Sequence, residues 1–88
     1  MIDFKEGDEY AWIEEIGLGW PMISFVKIEK LDRNFYTKEL MIAFSNHPYW
    51  FDNEFYNYST VEYELNRNTT LIKVENEQHK LAIRLKYE

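Results

Sequence analysis

The sequence predicts an all-β domain: a small antiparallel barrel or curved meander of five to six strands, with an aromatic-rich loop or short helix around residues 48–58. Three observations carry that expectation. Apolar and polar residues alternate with period two in several separate segments, the pattern of strands that bury one face. The connections hold asparagine-containing turn formers at Asp32-Arg33-Asn34, Asn66-Arg67-Asn68 and Asn76-Glu77-Gln78. Asparagine tolerates left-handed backbone and bonds locally, which suits tight returns. No long apolar stripe of helical period competes with the alternation.

The first segment, "FKEGDEYAWIEEIG" from Phe4 to Gly17, admits two readings. As a strand entered through a Gly7-Asp8 turn, it places Tyr10 and Trp12 on one face and Ala11 and Ile13 on the other. As a short helix from Asp8, it aligns Tyr10, Ile13 and Ile16 or Gly17 along one stripe. The strand reading resembles the opening of SH3-like barrels, where a Gly-Asp turn leads into the first strand. That resemblance implies a flexible loop at Gly17-Leu18-Gly19-Trp20-Pro21 and concerns fold alone.

Along Met22–Lys30, Val26 and Ile28 oppose Phe25, Lys27 and Glu29. Leu40, Ile42 and Phe44 then share a face opposite Glu39, Met41 and Ala43. In Thr60–Leu65, Val61, Tyr63 and Leu65 point inward, with Glu62 and Glu64 outward. In Thr69–Glu75, Ile72 and Val74 oppose Lys73 and Glu75. The strictest alternation lies in Lys80–Glu88, where Leu81, Ile83, Leu85 and Tyr87 face away from Lys80, Arg84 and Lys86. From Thr60 onward the chain therefore reads as a three-stranded antiparallel meander.

Between these segments stands "HPYWFDNEFYNY", residues 47–58, with six aromatic rings from Tyr49 to Tyr58. Read as a helix begun by Pro48, it points Phe51, Phe55 and Tyr58 at the sheet and Tyr49 and Tyr56 away from it. Read as extended chain, it places Tyr49, Phe51 and Phe55 on one face and Trp50, Tyr56 and Tyr58 on the other. Either geometry leaves two or three rings off the core side. The block is thus expected to be part core cap and part contact surface, because rings with polar tips bring binding area at low entropy cost.

At 88 residues the chain is expected to form one domain, residues 1–88. It has no cysteine, which excludes disulfides, thiolate metal sites and thiol nucleophiles. The acidic first residues lack the apolar core of a secretory signal, and no run approaches the roughly 18 apolar residues of a membrane span. A cytoplasmic protein without membrane contact is therefore expected. His47, Asp52 and Glu54 have none of the standard metal-ligand spacings. Gly7, Gly17 and Gly19 fit no phosphate-binding fingerprint, and Ser24, Ser45 and Ser59 lie in no nucleophile motif. Neither a catalytic residue nor a cofactor is expected.

The net charge of −6 is unevenly spread. Residues 1–20 carry −5 and residues 47–64 carry −4, and these two blocks also hold eleven of the sixteen aromatics. Residues 21–46 carry +1 and residues 65–88 carry +2. Phosphate neutralisation supplies much of nucleic-acid affinity, so acidic aromatic blocks argue against direct nucleic-acid binding. They suit a protein partner with a basic surface. Tyr49, Trp50, Asp52, Glu54, Tyr56, Glu62 and Glu64 are the expected contact residues, rings as anchors and acids as steering charges. In bulk the chain resembles phage-encoded inhibitors and toxin-immunity proteins, which are typically small, acidic and poor in cysteine. The resemblance implies inhibition of a basic target such as a nuclease toxin or nucleic-acid-processing complex. Two other expectations stand beside it: an adaptor subunit contacting a larger assembly through Arg84 and Lys86, and a small-ligand or sugar site on the aromatic block.

Overall fold

The computed structural model describes residues 2–15, 17, 19, 21–45 and 55–87. Five antiparallel strands form one sheet: β1 (Glu9–Glu15), β2 (Pro21–Arg33), β3 (Leu40–Ser45), β4 (Phe55–Asn57) and β5 (Thr69–Lys73). Two helices accompany them, α1 (Tyr58–Arg67) between β4 and β5, and α2 (Glu77–Tyr87) after β5. The sheet order is β4-β3-β2-β1-β5. The fold is thus sheet-dominated, as expected, but it is not closed into a barrel. No described helix is long and apolar enough to cross a membrane.

Of residues 8–16, expected as strand or helix, Glu9–Glu15 is strand β1, and residue 16 lies outside the described residues. Tyr10 and Trp12 are buried on one face, Ala11 and Ile13 on the other, and β1 pairs with β2 on one side and β5 on the other. A strand flanked on both sides and covered on both faces needs apolar residues at successive positions, which "YAWI" supplies.

The first face carries the larger core: Tyr10, Trp12, Val26, Ile28, Ile42 and Phe44 from the strands, Tyr58 and Val61 from α1, and Phe4 from the segment before β1. Phe4 meets Tyr10, Phe44 and Tyr58 edge to face at 5.5, 6.1 and 5.9 Å between ring centres. Such pairs add about 0.5–1.5 kcal/mol beyond area burial. The Tyr58 hydroxyl accepts a hydrogen bond from the Ile2 N–H at 2.8 Å, which fastens the leading segment over the sheet. A bulge at Glu29 shifts the β2–β3 register between Ile28 and Lys30. Leu31 rather than Lys30 thereby stands opposite Ile42 on the core face.

Thr60–Leu65, expected as a strand, belongs to α1. Its apolar residues satisfy both periods: Tyr58, Val61 and Leu65 lie at i, i+3 and i+7, a helical stripe. Topology selects the helix. β4 and β5 sit at opposite edges of the sheet, about 19 Å apart at four inter-strand spacings, and a ten-residue helix spans about 15 Å. α1 therefore crosses the first face from one edge toward the other and covers it, where a strand would have left it open. Phe55–Asn57, at the end of the expected loop or helix, is strand β4; residues 48–54 lie outside the described residues.

Lys80–Glu88 was expected as the clearest strand, and residues 80–87 lie in helix α2. Of its apolar residues only Ile83 and Tyr87, four apart, pack on the second face, with Ala11, Ile13, Phe25 and Ile72. Leu81 and Leu85 point outward, 56% and 83% exposed. The helix start is well made. The Asn76 side chain accepts from the His79 N–H at 2.8 Å, and His79 Nδ1 accepts from the Glu75 N–H at 3.0 Å. Two donors at the helix entry are satisfied this way, a variant of the capping box. Glu77 in the first turn and Arg84 and Lys86 in the last complement the helix dipole. The expected three-stranded meander is therefore a helix–strand–helix unit.

α1 is capped differently. Asn57 makes no side-chain cap, and Glu39, the residue before β3, fills the role: its Oε1 accepts from the Ser59 N–H at 2.7 Å. Hydrogen bonds from the Ser59 side chain and backbone hold the Glu39 carboxyl below the usual carboxylate range.

Two predictions follow from these contacts. Ile83→Ala costs about 2–5 kcal/mol, whereas Leu85→Ala changes stability by about 0.5 kcal/mol or less. Equal urea midpoints for the two variants would restore the strand reading of this segment. The second concerns acid. A depressed folded-state pKa means that the Glu39–Ser59 contact stabilises above the unfolded carboxyl value and is lost as pH falls through the folded value. The midpoint gap between wild type and Glu39→Gln, present at pH 7, narrows as pH falls through the folded-state value. A gap that ignores pH would show that the contact does not titrate.

Candidate functional site

The β2–β3 hairpin carries the most exposed aromatic pair among the described residues. Phe35 and Tyr36 are 77% and 88% exposed. β2 pairs with β1 only as far as Lys27, so its last residues run past the end of β1 toward the tip. The turn lies two residues later than expected. Asn34 begins it rather than ending it.

Asn34 organises the tip. Its side-chain oxygen accepts from the N–H groups of Tyr36 at 2.9 Å and Thr37 at 3.0 Å. Its carbonyl accepts from the Lys38 N–H at 2.9 Å, and its own N–H donates to the Glu39 carbonyl at 2.9 Å. Lys38 takes the left-handed conformation, φ 63°, that closes the turn. Arg33 Nη1 donates to the Lys38 carbonyl at 3.1 Å. With the backbone so held, the rings meet edge to face at 5.3 Å and the Lys38 ammonium stands 4.9 Å from the Phe35 ring centre. Two rings on a pinned turn present apolar area without the ordering cost of a mobile loop.

The expected contact residues are divided. Tyr49, Trp50, Asp52 and Glu54, with His47, lie outside the described residues. Tyr56 is half-buried and packs against the first core. Glu62 is exposed on α1, and Glu64 is half-buried. As helix residues two apart they diverge by about 200° rather than sharing the single outer face expected of a strand. Glu62 keeps company with Tyr63, 61% exposed, whose ring lies 5.9 Å from the Arg67 guanidinium.

The outer face of α2 is a second apolar surface. Leu81 and Leu85 form its ridge. Two exposed cations flank the ridge, Arg84 on Phe25 at 5.1 Å and Lys86 on Tyr87 at 5.4 Å, while Lys80 lies on the sheet side, 4.7 Å from the Phe25 ring and bonded to Glu9.

Several polar groups elsewhere are held in structural contacts. Asp8 pairs with Lys73 at 3.5 Å and Glu9 with Lys80 at 3.1 Å. Burial first, then the nearby Asp8 carboxylate, push the Tyr10 phenol above its ordinary value. That direction takes it away from the neutral range in which a general acid or base works. An open cleft of about 390 Å³ lies where the C-terminal ends of the helices approach β1 and β5, with Ile13, Leu65, Arg67 and Tyr87 on its walls. Its amide and hydroxyl at Asn68 and Thr69 are spent on Glu15 and on each other. No group of three or more metal-binding side chains occurs among the described residues.

Neither Phe35 nor Tyr36 was among the expected contacts. The available signal was Asn34 directly followed by two aromatics: a turn-starting asparagine leaves the next residues on the outside of the bend. Asn34→Ala removes the acceptor of two N–H groups and costs about 1 kcal/mol. Amide exchange at Tyr36 and Thr37 accelerates while that of the core strands keeps its order. Unchanged exchange at both amides would show that the side chain does not hold the turn.

Comparison with protein families, curated proteins and solved structures finds no match to this chain.

Proposed function

We propose that this chain is a small acidic protein-binding domain without catalytic activity, an inhibitor or neutraliser of a basic target such as a nuclease toxin or a nucleic-acid-processing complex. The observation that supports it most is the hairpin tip. Leaving Phe35 and Tyr36 in water forgoes the stabilisation that their burial would bring, and a pinned turn keeps them there. Aromatic anchors that enter a concave apolar site are the usual centre of a binding hot spot. Exposed acids at Asp3, Glu6, Glu15 and Glu62 contribute to a net charge of −6, which steers a basic partner and weakens with salt.

A specific observation also favours the adaptor reading. Arg84 and Lys86 flank the outward leucines of α2, so a second contact surface stands apart from the hairpin.

The test places a photo-crosslinking phenylalanine analogue at Tyr36, irradiates the protein in host lysate and identifies the adduct. A single basic protein is expected, captured less as salt rises. With that protein purified, Phe35→Ser and Tyr36→Ser each weaken binding by about 2 kcal/mol or more, mainly through faster dissociation. Adducts to nucleic acid alone, or full affinity in both folded variants, would sink the reading.

A further inference from the structure

We propose that the outward face of α2 is a docking ridge for an acidic amphipathic helix of a protein partner. It is a different surface from the hairpin tip, and it stands or falls without it.

Taking Ile83 as the direction of the sheet, Leu81 and Leu85 lie about 160° and 200° around the helix, at its crest. Neither leucine contributes to the core, and both are mostly in water. Their spacing of four residues is the ridge that fits the i, i+4 groove of a facing helix. Ala82, exposed beside the crest, adds little bulk that would hold a partner away.

Charge chooses the occupant. α2 has Lys80, Arg84 and Lys86 against one acid, Glu77, in a chain whose net charge is −6. The cations are positioned as well as present. Resting on Phe25 and Tyr87, they have already lost part of the rotamer freedom that binding would otherwise remove. Lys80 is committed to Glu9 at 3.1 Å, so Arg84 and Lys86 are the charges left to meet a partner's carboxylates. A basic surface of one lysine, one arginine and two leucines matches a helix with leucines along one stripe and glutamates beside it. An anionic membrane is the weaker fit. The other side of α2 is fastened to the sheet through Ile83 and Tyr87, and two leucines give little area to insert.

The experiment titrates the isotopically labelled protein with two synthetic helical peptides. Both have leucine at a and d of each heptad; one has glutamate and the other lysine at e and g. The glutamate peptide is expected to shift amide resonances within residues 77–87 and to bind more weakly as salt rises. Leu81→Ser combined with Leu85→Ser lowers its affinity at least tenfold. Arg84→Gln lowers it less and flattens the salt dependence. All three positions are exposed, so folding of the variants is checked by their unchanged core resonances. Equal binding of the lysine peptide, shifts outside α2, or full affinity in the double leucine variant would overturn the proposal. Stronger binding to vesicles of phosphatidylcholine and phosphatidylglycerol than to the glutamate peptide would overturn it too.

Discussion

Burial of β1 on both faces is the constraint from which the rest of the architecture follows. Tyr10 and Trp12 commit one face of the sheet to a core, Ala11 and Ile13 commit the other, and β2 and β5 occupy both hydrogen-bonding edges. A sheet with two apolar faces needs two covers. α1 and the Phe4 segment supply one, and α2 supplies the other. Once each cover is a helix, only one stripe of it is consumed. The opposite stripes of α1 and α2 are free to face water, and that is where Glu62, Tyr63, Leu81 and Leu85 lie.

The strands around β1 were readable because their residues have no competing period. Val26 and Ile28, or Ile42 and Phe44, fit alternation and nothing else. The two helices were misread for separate reasons. In α1, Val61 and Leu65 fit either period, and Tyr63 tipped the balance toward alternation although its ring stays outside. The true cap, Glu39, comes from the β2–β3 connection, so nothing local at Asn57 marks the helix start. In α2 the start was locally written in Asn76, Glu77 and His79. The leucines at 81 and 85 completed a false alternation around Ile83 and outweighed it. Apolar residues that serve a surface rather than a core mislead pattern reading by construction. The hairpin tip was missed by two residues, since the expected turn ended where the real one begins.

Charge blocks along the chain are not charge faces of the molecule. The acids of residues 1–20 meet bases from residues 65–88: Asp8 pairs with Lys73 across the β1–β5 edge, and Glu9 with Lys80 on α2. Partly exposed pairs of this kind contribute little stability each. Their larger effect is on the field, because they neutralise part of the first acidic block and leave Asp3, Glu6 and Glu15 in water. Glu39 is diverted likewise, to the start of α1.

The pairing of Tyr10 with Lys73 has a consequence for how the chain reaches its fold. β1 finds its first neighbour, β2, through a short return, but its second neighbour only after β3, β4 and α1 have been made. Loop closure over that distance must precede the contacts that reward it, which slows assembly relative to a simple meander. During synthesis on a ribosome, the β1–β2–β3 ribbon emerges with Trp12 and Ile13 uncovered and one edge of β1 unpaired. Such a species is a template for strand pairing with another nascent copy. Slippage of β5 or delay in α1 would therefore show first as aggregation during expression, before any loss of stability in the finished protein.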